Sequence, residues 1–472
     1  MGLLNLPGEL MTRTTHTAFP AGCVAHRGAL LHFLDDPGNE PEPNANSLET
    51  FDDGLLVLNE GQVLAAGPAA DLLPRLPEGT PVTDWQGGLI LPGFIDTHVH
   101  MPQLGVMASY GTQLLDWLET YTFPHEARFR DVDWAQAEAQ RFTDLLLAHG
   151  TTSGLVFCTS HPASVDALFE AADSRGMGLT AGKVMMDRHA PDNLTDTTQG
   201  SYDDSLALLQ KWHGHGRQRY AITPRFAATS TPEQLTLAGK LAADHPDVMV
   251  QTHWAENLGE IQWISELFPD RHSYLDVYDH YGLLGDHTVL AHGIHIDDRD
   301  RNRLAETGTR IAFCPTSNTF LGSGLFDFRS ARDAGVTVGL ASDVGGGTSL
   351  SMLATMAEAY KVCRLRGQTL TPWQAFYLAT LGNARVLHQA DQTGSFQPGR
   401  HADFVVLDQS ASPALNMKQD YTHSLSEKLF SLMILGDDRA IAATAVTGEV
   451  RYRRADSQAA TTPTSLSPTQ GA

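Results

Sequence analysis

The sequence is poor in cysteine. It has four, Cys23, Cys158, Cys314 and Cys363, far apart and without a CxxC pair. That spacing argues against a disulfide framework and against a cysteine-ligated zinc site, and it fits reduced thiols in a cytoplasmic protein. Positive charge is also scarce. Lys and Arg total 32 against 55 Asp and Glu, for a formal charge of −23. A surface this acidic repels phosphate backbones and anionic lipid, so neither a nucleic acid nor a membrane is expected as a partner. No apolar run reaches the length of a membrane span. The N-terminus, MGLLNLPGELMTRTTHT, lacks the basic start and apolar core of a secretory signal.

What is present is enough for a large core: 42% of residues are hydrophobic and 18% charged. The length points to one large domain with a smaller one beside it. Residues 1–17 read as a mobile lead-in. Residues 18–88 hold short strands with Asn, Gly and Asp turns, as in GLLVLNEGQVLAAG, and read as the first part of a small β-sandwich.

From residue 89 to 388 the rhythm changes. Eight short apolar runs alternate with helical stretches: LILPGFIDTHVH, TTSGLVF, GLTAGKVMM, YAITPRF, DVMVQTHWA, TVLAHG, RIAFCPTSN and VTVGLASD. One intervening segment, DWAQAEAQRFTDLLLAHG, has helical periodicity and closes on Gly150 as its cap. Eight strand-then-helix units predict an α/β fold of the TIM-like (β/α)8 class, with a doubly wound sheet as the alternative that periodicity leaves open. The strand rhythm of the N-terminus returns in GSFQPGRHADFVVLD and AIAATAVTGEVRYR. Residues 389–455 therefore read as the second part of the sandwich, a composite domain built from both chain ends. The tail from 456 to 472, rich in Ser, Thr and Pro, is expected to be disordered.

In such a barrel, functional side chains stand at the C-terminal strand ends. Strand one ends in His98 and His100, which share one side of a strand. Strand five ends in His253, with Glu256 three residues on; strand six ends in His292; strand eight ends in Asp343. Each alone is a weak sign. An HxH pair can sit in a core, a lone His is often hydrogen-bonded and buried, and an Asp before glycines is often a turn residue or helix cap. Their coincidence at strand ends points to a metal centre, because imidazole and carboxylate suit zinc or ferrous iron. His213 and His215 are also spaced HxH, but in a polar connector before strand four, and read as loop.

PGFIDTHVH, QTHWAEN, VLAHG and GLASDVGGG resemble the motifs of the amidohydrolase superfamily, in order and in register with the strands, over nearly the whole chain. Some members bridge two metals with a carboxylated lysine at the end of strand four. Here that end reads Thr223-Pro224-Arg225-Phe226, and Lys183 lies in strand three, so the resemblance implies a single metal. HMPQ, LLDWLETYTFPHEARF, GKVMMD, TPRF and DVGGGTSLSML narrow it to the guanine deaminase branch.

That resemblance implies one Zn2+ per chain, or Fe2+ in its place, held by His98, His100, His253 and Asp343. Glu256 is implied as proton shuttle, Asp343 as both ligand and base, and His292 as the group orienting water or a developing oxyanion. Gln103, Arg225, Phe226 and His292 are implied as contacts to a small purine, guanine, with DWLETYTFP covering the pocket mouth. Phe226 as a plain aromatic filling the barrel mouth, and DWLETYTFP as an ordinary surface helix, stay open. A cytoplasmic homodimer acting in purine catabolism is the accompanying expectation. Two other readings stay open: a mononuclear relative acting on an adenine-type nucleoside or a halogenated triazine, and a non-catalytic scaffold that kept the barrel.

Overall fold

The computed structural model describes residues 18–110, 114–457 and 459–464. The lead-in at 1–17 and most of the tail therefore lie outside the described residues. Eight parallel strands form the barrel sheet in chain order: Phe94–His100, Thr151–Phe157, Gly178–Gly182, Arg219–Pro224, Met249–Trp254, Thr288–His292, Arg310–Phe313 and Val338–Leu340. Strand three continues past Lys183 as Val184–Met185, which also pairs with strand four. The doubly wound alternative fails on this order, in which every strand neighbours the next.

Strands eight and one close the ring differently from the rest. The side chain of Asn383 donates to the carbonyls of Ile95 (2.5 Å) and Leu340 (2.7 Å) and accepts from Leu340 N–H (2.8 Å). One amide thus satisfies backbone groups that the seam would leave bare. Further along, Asp343 N–H reaches His98 O and His100 N–H reaches Val344 O. Those bonds tie the functional ends of strands one and eight together.

The helix after strand one runs Val132–Ala148 and buries Ala135, Ala139, Phe142, Leu146 and Leu147, the spacing of one helical face. Asp131 caps its start, accepting from Trp134 N–H. Gly150 follows its end at φ 83, the left-handed conformation glycine takes without a Cβ penalty.

The smaller domain is one sheet built from both chain ends. Val24–Phe33, Leu48–Asn59, Gln62–Pro68 and Pro81–Pro92 join Phe404–Asp408, Ile441–Val446, Glu449–Arg453 and Ala460–Pro463. Three boundaries differ from the sequence reading. LILP belongs here and not to the first barrel strand: Leu89–Pro92 pair with Phe404–Leu407. The chain changes sheets at Gly93, whose N–H goes to Asp403 O while Phe94 N–H goes to Gly150 O. The run is apolar throughout because both faces are covered. Leu89 and Leu91 pack in the barrel-side core and Ile90 in the small domain's core. Second, the segment 389–455 also holds helices Pro413–Gln419 and Leu425–Leu435, the latter packed on the barrel helix Met352–Leu365. Third, part of the tail is ordered: Ala460–Pro463 pair antiparallel with Pro81–Asp84.

His26 gives this domain a pH dependence. The Trp85 indole, which can only donate, points Nε1–H at His26 Nδ1 (3.1 Å). His26 is therefore neutral, and burial pushes its pKa down from 6.5 to about 4. The folded state resists a proton that the unfolded chain accepts below pH 6.5. This stability is full above pH 6.5 and is lost as pH falls from there toward about 4. Urea unfolding at pH 7 and pH 4.5 should show His26→Gln losing less stability on acidification than the parent, by on the order of 3 kcal/mol at most. Equal acid sensitivity in both proteins would refute the assignment.

Candidate active site

Strand one delivers His98 and His100 to the barrel axis, both buried. Their Nε2 atoms stand 3.2 Å apart, and His253 Nε2 is 3.1 Å from that of His100. Asp343 Oδ1 lies 3.2 Å from His98 Nε2 and 3.4 Å from His100 Nε2. Imidazole nitrogens turned on one another at this range gain little from each other. They fit a shared cation, since four ligand atoms about 2.0–2.1 Å from one zinc ion sit roughly 3.3 Å apart along the edges of a tetrahedron.

The surroundings keep these groups in ligand form. His253 Nδ1–H donates to Arg225 O (2.7 Å), which leaves the Nε2 lone pair facing the cluster. Burial pushes His100 down to about 4. Burial and then the neighbouring His98 and His100 hold His253 well below its ordinary value. Burial alone would raise Asp343, but His98 and His100 outweigh it and hold the carboxyl well below the usual range. Metal ligands must be deprotonated, so each direction favours binding.

His292 stands further out. Its Nε2 is 3.8 Å from Asp343 Oδ2 and 3.4 Å from Glu256 Oε2. The ligand atoms of His98, His253, His292 and Asp343 all lie within 4.8 Å of one another, so His292 borders the same centre. His100 stands nearer, its Nε2 3.2 Å from that of His98 and 3.1 Å from that of His253. His292 Nδ1 faces Asn318 Oδ1 at 2.9 Å, which makes Nδ1 the donor and Nε2, buried with no hydrogen-bond partner, an acceptor aimed into the site.

Glu256 is buried beside this cluster and accepts from Ser323 Oγ at 3.1 Å. Burial, reinforced by the negative charge of Asp343, raises its carboxyl to about 8. Glu260 holds the turn that carries it. One Glu260 oxygen accepts from the N–H groups of Glu256 (3.0 Å) and Asn257 (3.2 Å), and the other from Tyr274 OH (2.7 Å). Asp343 (φ 50), His292 (φ 76) and Ala255 (φ 50) adopt left-handed backbone without being glycine. Each such residue costs on the order of 1–3 kcal/mol, and such strain gathers at functional sites. The glycines after Asp343 answer a packing need: a Cβ on Gly345 would lie 2.5 Å from Gln103 O.

Gln103, Arg225 and Phe226 line the same cavity as the cluster, with Gln103 Nε2 3.1 Å from His100 Nδ1, and Leu114, Leu115, Trp117 and Leu118 line it too. The stretch DWLETYTFP thus covers the cavity instead of forming an outlying surface helix. Two details were not legible in the sequence. Arg225 is not free: Nη1 donates to Glu126 Oε2 (2.6 Å) and Nη2 to Glu126 Oε1 (3.1 Å). Nor is the Gln103 amide, whose Nε2 donates to Glu126 Oε1 (3.0 Å) while its Oε1 accepts from Gly345 N–H (3.3 Å).

Glu126, Asn318, Ser323 and Asp96 escaped sequence reasoning. Asp96 accepts from His98 N–H, Ser342 N–H and Ser342 Oγ, locking strands one and eight beneath the ligands. Glu260 carried a readable signal, since Asn257 and Glu260 form an N-x-x-E capping box.

Lys183 is fully buried and bonded to Asp196 and Ser201. His213 accepts from Tyr220 N–H near the start of strand four, remote from the strand's functional end. A second acid–histidine group, Asp286, His287 and His388, is compromised as a cation site. Asp286 is paired with Arg310 (2.7 Å), and His388 Nε2 with Asp286 O (2.9 Å).

The amidohydrolase family model matches residues 89–451. A guanine deaminase of Escherichia coli K12 is 49% identical over 430 residues, covering 91% of this chain and 98% of that protein. The solved E. coli guanine deaminase superposes with a TM-score of 0.88 at 47% identity, over 91% of this chain and all of that one. A guanine deaminase from C. acetobutylicum, solved with guanine bound in its active site, gives 0.80 at 30% identity over 91% of this chain and 100% of its own. An adenosine deaminase and an atrazine chlorohydrolase share the fold at only 19% and 21% identity.

Proposed function

The chain belongs to the amidohydrolase family, and on that premise we propose that it hydrolyses guanine at C2 to xanthine and ammonia. One observation carries this reading: a single cavity gathers two chemically distinct sets of side chains. His100, His253, Asp343 and Glu256 line it together with Arg225 and Gln103, whose Nε2 stands 3.1 Å from His100 Nδ1. The adenosine deaminase and the atrazine chlorohydrolase share only the fold, at low identity.

His98, His100, His253 and Asp343 would hold one zinc ion, with ferrous iron the other metal that this donor set accepts. When bound, the metal supplies acidity, lowering the pKa of water from 15.7 toward about 7. The rest is the work of side chains. Asp343 and Glu256 accept the proton of the attacking water. His292 Nε2, fixed as an acceptor by Asn318, orients that water. Glu256 passes the first proton to N3 as oxygen bonds to C2; the second, left on the new C2 hydroxyl, is then taken by Asp343 and Glu256 and given to the amino group, so that C2=O forms, the C2–N bond breaks and ammonia leaves. A carboxyl raised to about 8 can both hold and release a proton near neutrality.

Arg225 donates to the 6-oxo group, where an adenine amino group would set donor against donor. Gln103 meets the adjoining edge, and Phe226 packs on the ring. Trp117 and the neighbouring leucines exclude bulk water.

The four cysteines are free and buried, which fits the reducing cytoplasm. Among the described residues, no helix is long and apolar enough to cross a membrane. A role in purine catabolism and a homodimeric state complete the proposal; both rest on the likeness to guanine deaminases. Light scattering of the purified chain tests the second.

The deciding experiment is turnover by metal-analysed protein. Guanine should disappear with one ammonia released per purine, adenosine should be left intact, and zinc should be present at about one per chain. Zinc-loaded, folded protein that leaves guanine unchanged would overturn the reading.

A further inference from the structure

We propose that Glu126 is the positioning residue that sets the purine-reading wall, acting through Arg225 and Gln103. The proposal rests on the guanine reading above. Glu126 is fully buried and absent from the cavity lining, whereas Arg225 and Gln103 both line it. Its two oxygens accept three side-chain bonds from them: Oε2 from Arg225 Nη1 (2.6 Å), and Oε1 from Arg225 Nη2 (3.1 Å) and Gln103 Nε2 (3.0 Å); Gln103 is held besides by Gly345 N–H and lies 3.1 Å from His100 Nδ1.

Three consequences follow. A long guanidinium side chain has several rotatable bonds, and a bidentate carboxylate selects one orientation from among them. The Phe123 ring, from the same segment as Glu126, lies 5.1 Å from the guanidinium carbon and packs on it as a second restraint. Of the five Arg225 N–H groups, the carboxylate takes two and leaves three for other partners. Finally, Glu126 cancels the charge of Arg225. The wall then presents oriented donors with no net charge, as suits a neutral purine.

The placement also joins two parts of the molecule. Glu126 ends the segment whose Leu114, Leu115, Trp117 and Leu118 wall the cavity, while Arg225 follows strand four and lends its carbonyl to His253. The covering segment therefore holds Arg225 directly and reaches His100 through Gln103, whose Nε2 is 3.0 Å from Glu126 Oε1 and 3.1 Å from His100 Nδ1.

The test is steady-state kinetics on the full-length, zinc-loaded enzyme. Glu126→Gln keeps an acceptor but loses the charge and the bidentate pairing. KM for guanine should rise about 10–100-fold, the scale of an ångström-sized misplacement, with kcat within about fivefold and zinc content unchanged. A merely structural role would instead lower kcat with the amount of folded, zinc-loaded protein and leave KM alone. Should Glu126→Gln fail to fold, Glu126→Asp carries the test. It keeps the charge, reaches less far, and should raise KM several-fold with kcat retained. An unchanged KM in a folded variant overturns the role of Glu126. Wild-type protein inert toward guanine overturns the substrate reading, and this proposal with it.

Discussion

Replacing Glu256 with glutamine should lower turnover of guanine by about 10²–10⁴-fold while leaving about one metal per chain. Glutamine is nearly the same size and can still accept the Ser323 hydroxyl that Glu256 accepts at 3.1 Å. It stays uncharged, so it adds no buried charge to a site where burial already disfavours the carboxylate. What it cannot do is take a proton from water and hand it on. The loss should therefore fall on kcat, with KM changed little, because none of the purine-edge contacts is altered. Near-normal kcat in a metal-replete variant would remove Glu256 as the shuttle and leave Asp343 as the carboxylate proposed to carry protons.

Replacing Asp343 with alanine should have an effect at least as large, by a different route. Asp343 is the one anion among the ligand atoms, 3.2–3.4 Å from the Nε2 atoms of His98 and His100. Without it, the three neutral imidazoles offer a cation no negatively charged ligand. Metal content should fall well below one per chain, and activity with it. Added zinc should restore little, because the carboxylate that also accepts the water's proton is gone. Mass-spectrometric metal analysis beside the ammonia assay separates this variant from Glu256→Gln: one loses metal and turnover together, the other turnover alone. Full zinc occupancy in Asp343→Ala would show that His292, at the border of the cluster, is a ligand in its place.

The contrast between these variants was largely legible in the chain. His98, His100, His253, His292 and Asp343 could be found because a parallel barrel puts the end of every strand on one face. A reader who counts eight strand-then-helix units can pick out polar residues at their ends. LILPGFIDTHVH shows where counting stops. Leu89–Pro92 and Phe94–His100 read as one strand in sequence, and only the pairing of Leu89–Pro92 with Phe404–Leu407 assigns its first half to another sheet. A run buried on both faces looks the same in either sheet. The ordered strand Ala460–Pro463 was hidden for a related reason. A Thr- and Pro-containing segment on a sheet margin buries little, so its composition resembles that of a disordered tail.

By itself, then, the sequence determined the eight strand-then-helix units, the strand ends that carry the histidines and Asp343, and the absence of a bridging lysine, since these depend on periodicity and residue type within short windows; the strand order that closes a barrel was decided by the tertiary structure. Tertiary structure alone decided the partners. Glu126 meets Arg225 across 99 positions, Asp96 meets Ser342 across 246, and Asn383 bridges Ile95 and Leu340 across 288 and 43. A polar side chain in a barrel does not announce which distant group will satisfy it. That is settled only when the ring closes and each buried donor must find an acceptor.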